Sequence, residues 1–153
     1  MDWHEFVFLF EAIIYLAVAR FCIYFLPLKW YVDKLGSDTP DVLAQDNRSN
    51  SASTHNALLI RKAISRAANN MPWNTVCLPQ AIAAKWMCQR RNIKSVMYLG
   101  VAKNTAPSPS EHAVNAMFSK PTSIKAHAWL KVEDTIITGK VGHKKFTVLK
   151  TFY

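Results

Sequence analysis

The chain opens with an apolar stretch unlike anything that follows. Phe6 to Leu28, FVFLFEAIIYLAVARFCIYFLPL, is interrupted only by Glu11 and Arg20, and its longest uncharged run between them is Ala12 to Ala19. A membrane span needs roughly 20 mostly apolar residues, and central charges are costly there. The stretch therefore reads as a buried or partner-facing hydrophobic helix, with a membrane-surface helix and a true span as alternatives. Asp2 and Glu5 lead the chain where a secretory signal would carry positive charge. Pro27 is expected to end the helix, because proline disfavours helical geometry in the residue before it.

Polar texture then takes over. Gly36 to Thr54, GSDTPDVLAQDNRSNSAST, reads as a linker. Beyond it Ile60, Ala63, Ile64 and Ala67 recur at helical spacing, predicting an amphipathic helix over about 55–69 that NNMP terminates. A second helix is expected from Cys77 to about Arg91, with Arg90 and Arg91 suited to its negative end. After Asn92 the period shortens. SVMYLGVAK reads as a strand, NTAPSPSEH as a loop, AHAWLKVEDTIITGK as a hairpin turning at Glu133-Asp134, and KFTVLKTF as a last strand. Helices followed by antiparallel strands predict an α+β domain. The expected organisation is a hydrophobic helical region at 1–36, a linker at 37–54 and the core at 55–153.

Charge and cysteine count narrow the setting. Residues 1–50 hold seven acids against four bases, so the net +9 conceals +12 on residues 51–153. Such a region suits an acidic peptide or an anionic membrane surface, or is simply a solvated face; nucleic acid is disfavoured because no recognised binding motif accompanies the charge. Three cysteines, Cys22, Cys77 and Cys88, form no CxxC pair. On one helix Cys77 and Cys88 would lie about 16 Å apart, beyond disulfide reach. This favours a reducing, cytoplasmic setting, with membrane association through the first helix as the addition to it. No histidine spacing suggests a metal, and no phosphate loop suggests bound ATP, so no cofactor is expected.

Cys77 is the chemically informative residue. A cysteine opening a helix gains from the dipole, which favours the thiolate, and from unpaired N–H groups that can hold an oxyanion. It needs a base, and His127, on a strand fifty residues downstream, is the best candidate. Each residue alone also has a plain structural reading, as a small core cysteine and a satisfied histidine. Gln80, one turn after Cys77, could donate near the oxyanion or merely cap. Trp73 could wall the substrate cleft but reads first as a packing residue, and Trp129 reads as packing beneath the site.

The run PWNTVCLPQAIAAKWMCQRRNIKSVMYLGVAKN, followed by AHAWLKV, ITGK and FTVLKTF, resembles the transglutaminase-like leader peptidases of lasso-peptide biosynthesis, over roughly 55–153. The segment ending FLPLKWYVDKLG is similar to the stand-alone form of that family. The resemblance implies a papain-like fold and a cysteine endopeptidase that cuts the leader from a ribosomal precursor, with Cys77 as nucleophile and His127 as general base and acid. It also implies three partners: the lasso precursor, a separate leader-binding recognition protein and an ATP-dependent lasso cyclase. Many relatives carry an acid twelve residues after the histidine, where this chain has Gly139. Glu133 and Asp134 lie too far along the hairpin to replace it, leaving a backbone carbonyl, Thr138 or another group to orient His127. An acyl-transfer enzyme of the same fold and a non-catalytic scaffold are the rival readings, and the first helix is a candidate docking surface.

Overall fold

The computed structural model describes residues 3–27, 30, 36, 51–72, 76–103 and 124–153. Residues 37–50 of the expected linker, Trp73, and the segment read as a loop before His112 lie outside the described residues. Three helices come first, α1 (Trp3–Phe25), α2 (Ser51–Asn70) and α3 (Cys77–Arg90). The strands β1 (Val96–Lys103), β2 (Ile124–Val132), β3 (Thr135–Thr138) and β4 (Thr147–Phe152) follow, with a single 3₁₀ turn at His143–Lys145. The order β3-β2-β1-β4, antiparallel throughout, makes this the α+β arrangement that the sequence pattern predicts.

Each element has a local reason. α1 has no proline or glycine until Pro27 and stops just before it. α2 buries Ala57, Ile60, Ala63, Ile64 and Ala67, the periodic stripe extended by one turn. It also begins earlier than expected: residues 51–54 form its first turn rather than the end of a linker. Serine and threonine favour helix starts as well as loops, and Thr54 Oγ1 donates to Glu133 Oε2 at 3.3 Å across the fold. α3 ends where Asn92 turns into left-handed geometry at φ 52° and the Ile93 N–H returns to the Cys88 carbonyl at 2.9 Å.

The sheet sorts its side chains by strict alternation. β1 and β2 pair without a break from Val96↔Lys131 to Lys103↔Ile124. Met97, Ala128, Leu130 and Val132 point to one face and join the core with Ile60, Ile64, Ile82 and Met87 of the helices. Tyr98, Gly100, His127 and Trp129 therefore lie on the other face.

α1 is bound to this body along one side only. Phe8, Ala12, Leu16 and Ala19 are buried, while ten large apolar side chains of α1 remain exposed. The helix is thus buried on one side and open on the other: one face packs on α2 and α3, and no described element packs on the opposite one. Glu11 interrupts the apolar run because it faces inward. It is 8% exposed and receives Arg91 in a two-pronged ion pair, one prong at 2.9 Å, with Arg90 at 3.5 Å. Arg91 also lies 4.1 Å above the Phe8 ring and donates to the Met87 carbonyl at 3.1 Å.

Removing one member of a largely buried pair strands the other. Glu11→Ala is expected to lower stability by about 3 kcal/mol in urea unfolding with an unchanged slope, and adding Arg91→Met should recover a large part of that loss.

Candidate active site

Cys77 is the first residue of α3 and is half-buried. The residue before it, Val76, is extended at φ −71°, ψ 171°, and among the described residues no side chain caps the helix. The first N–H groups of a helix have no partner within it. Pro79 has no N–H to offer, so those of Cys77 and Leu78 are the donors available at this end. Gln80 sits on the same turn, half-buried.

His127 is half-buried on β2, and its Nε2 lies 2.8 Å from the Gly139 carbonyl oxygen. A carbonyl only accepts, so Nε2 carries the proton and Nδ1 keeps its lone pair. Gly139, where the resemblance leads one to expect an acid, thus meets the histidine through its backbone carbonyl. A bulge between Leu130 and Lys131 makes this happen: Lys131 pairs with Ile136, but Leu130 pairs with Thr138. That one-residue shift moves Thr138 to the core face and brings Gly139 beside Trp129. Thr138 is accordingly not the orienting group. It is buried, and its hydroxyl has no hydrogen-bond partner among the described residues. Glu133 and Asp134 are engaged elsewhere, with Thr54 and Lys131.

Gly139 has φ +70°, and a Cβ there would sit 2.3 Å from the Ala128 carbonyl oxygen and 2.8 Å from the Trp129 Cβ. No side chain, acidic or otherwise, fits without moving the strand pair. Gly100, opposite His127, serves a related purpose: a Cβ would meet the Trp129 ring at 3.0 Å, so the glycine leaves that ring room to lie across β1.

Around His127 the structure gathers aromatic rings, of which the sequence singled out Trp129 but not Phe146 or Tyr98. Phe146 lies 4.9 Å away and Trp129 5.8 Å, centroid to centroid; Trp129 in turn stacks on Tyr98 at 5.5 Å. Trp129 also meets His143 at 5.9 Å, whose Nδ1 donates to the Lys140 carbonyl at 2.7 Å. Tyr98 and Trp129 share a register pair, a signal that needs the strand alignment to be seen.

Cys77 and His127 are placed on elements that pack together, α3 on β2. Among the described residues no hydrogen bond joins them, and His127 projects from the sheet face opposite Ala128 and Leu130. The third thiol has another character. Cys88 is fully buried, and burial pushes its pKa up to about 11, so it is a protonated core residue at neutral pH. Lys85, one turn earlier, is also buried; burial lowers its pKa, and its ammonium donates to the Ser95 carbonyl. Among the described residues no three His, Cys, Asp or Glu side chains converge as a metal site requires.

The family model of the transglutaminase-like superfamily matches residues 22–151, and the chain belongs to that superfamily. Its members are generally cysteine-based enzymes and include peptidases and acyltransferases. Comparison with curated proteins and with solved structures returns no significant match. The match begins at Cys22, inside α1, and so takes in the end of that helix together with the α+β body.

Two outcomes follow from this geometry. Gly139→Asp should not supply a working acid but should lower the melting temperature markedly, since it combines a left-handed φ with a backbone overlap; thermal unfolding beside the wild type checks this. Iodoacetamide at neutral pH, read by peptide mass spectrometry, should modify Cys77 in the folded chain and reach Cys88 only after denaturation.

Proposed function

We propose that this protein is a cysteine endopeptidase that removes the leader of a lasso-peptide precursor, with Cys77 as nucleophile and His127 as general base and acid. The observation that carries the assignment of His127 is its Nε2–Gly139 hydrogen bond, which leaves Nδ1 as the proton acceptor. Superfamily membership supports the class of chemistry, and the motif pattern PW-x3-CL-x2-A, LGV-x-K and AHAW supports the substrate.

In the proposed reaction Nδ1 of His127 takes the Cys77 proton, and the thiolate adds to the scissile carbonyl. The N–H groups of Cys77 and Leu78 hold the oxyanion. The imidazolium then gives its proton to the leaving amine, and a thioester remains on Cys77. Water, deprotonated by the same nitrogen, attacks the thioester and releases the leader with a free carboxylate. His127 projects from the sheet face opposite the core on which α3 packs, so the reaction requires a rearrangement that brings its Nδ1 to the Cys77 thiol. A carbonyl fixes the tautomer of His127 but brings no charge to stabilise the imidazolium, so this orienting group supplies part of what a carboxylate would. The leader-binding protein would deliver the substrate, and the ATP-dependent cyclase would close the ring on the freed amine.

A scaffold role in the maturation complex is the second reading, favoured by the unbonded Cys77–His127 pair. Incubation of the precursor encoded beside this chain, with the leader-binding partner, decides between them by mass spectrometry. The expected result is one cut at the leader–core boundary, reduced at least about a thousandfold in both Cys77→Ala and His127→Ala. Cleavage that survives Cys77→Ala overturns the assignment. Transfer to an added amine in preference to water would place the protein among the acyltransferases instead.

A further inference from the structure

The outer face of α1 is the largest feature of the molecule that the proposed chemistry does not use. Phe6, Phe10, Ile13, Ala17, Phe21 and Tyr24 follow one another at three- and four-residue steps and form one continuous exposed stripe. Phe10 is 60% exposed, Phe21 57% and Tyr24 71%, and Trp3, Val7, Ile14, Val18 and Phe25 widen the same face. Among the described residues the charged side chain that borders it is Arg20, 5.2 Å over the Tyr24 ring. Such a surface, about 35 Å long by helix rise, is far beyond the scattered exposed apolar residues of an ordinary soluble domain.

Its flanks identify the occupant. On one side α2 presents Arg61, Lys62 and Arg66 beside the exposed Leu58, with Glu5 as the carboxylate paired to Lys62 and Arg66. On the other side α3 presents Arg90 and Arg91 against the single carboxylate of Glu11. Among the described residues each flank thus holds more cations than carboxylates. An apolar convex face with positive charge on both sides matches an anionic bilayer surface: rings and aliphatic chains enter the acyl region while the cations meet the headgroups. Trp3 and Phe6 at one end and Phe21, Tyr24 and Phe25 at the other are residue types favoured at that depth.

We propose that α1 lies in the plane of an anionic membrane and docks the protein there through the Phe6–Tyr24 stripe. α1 is long and apolar enough to cross a bilayer by length and composition. Crossing would, however, strip Phe8, Ala12, Leu16 and Ala19 from the core and carry Glu11 into hydrocarbon without its arginines. The docked helix keeps both. This inference is independent of the peptidase reading and stands or falls without it.

Flotation of the full chain with phosphatidylcholine vesicles, with and without phosphatidylglycerol, tests it. The wild type should partition at least about tenfold more strongly onto the anionic vesicles and weaken with salt. Phe10→Gln/Phe21→Gln should abolish most of the binding and Arg61→Glu should reduce it, both with unchanged circular dichroism. Absence of binding to either vesicle, or undiminished binding by the double phenylalanine variant, overturns the proposal. So does resistance to alkaline carbonate, which would mean a span. Self-association through α1 that excludes vesicles would give the face to a second copy, and would also overturn it.

Discussion

The burial of α3 governs the placement of everything else. Ala81, Ile82, Ala83, Ala84, Lys85, Met87 and Cys88 are all buried, so this helix is enclosed around most of its circumference. The alanines make that possible, because small side chains let α1, α2 and the sheet approach one helix together. A helix held on so many sides has a fixed axis, and its N-terminus therefore has a fixed direction. Cys77 inherits that rigidity while remaining half-exposed. The enclosed lysine shows how strongly packing dominates here: Lys85 stays inside with its ammonium on the Ser95 carbonyl rather than reaching water.

The orientation of His127 rests on a second constraint, a single bulge. Without the shift at Leu130/Lys131, continued pairing would put Thr138 on the face of His127 and Trp129. With it, the hydroxyl turns into the core and a backbone carbonyl takes its place. The left-handed φ of Gly139 and the overlap that any Cβ would cause are two consequences of the same local geometry. The absence of a carboxylate at this position is therefore built into the backbone, beyond the choice of one side chain.

α1 connects these features to the surroundings. Its inner side is closed by small and aliphatic contacts and by the Glu11–Arg91 pair, so the helix is an integral part of the body. Its outer side has no partner among the described elements. Of the two charges that interrupt the apolar run, Glu11 faces inward to its arginines and Arg20 borders the exposed stripe over the Tyr24 ring.

Much was legible from the sequence alone. The 3.6-residue stripe of α2, the strand texture after Asn92 and the Glu133-Asp134 turn are local signals, and each emerged where the pattern placed it. Cys77 at a helix start is likewise a matter of local chain order. Other properties depend on pairings between distant residues, which no local period encodes. Examples are Glu11 with Arg91, eighty positions apart, Phe146 against His127, and the register slip that hands His127 to the Gly139 carbonyl. The same holds for α1: composition determined that it would be a helix seeking apolar surroundings, but only tertiary packing decided which side the protein would cover and which it would leave bare. A side chain's direction follows from its own backbone, whereas its burial follows from what the rest of the chain brings against it.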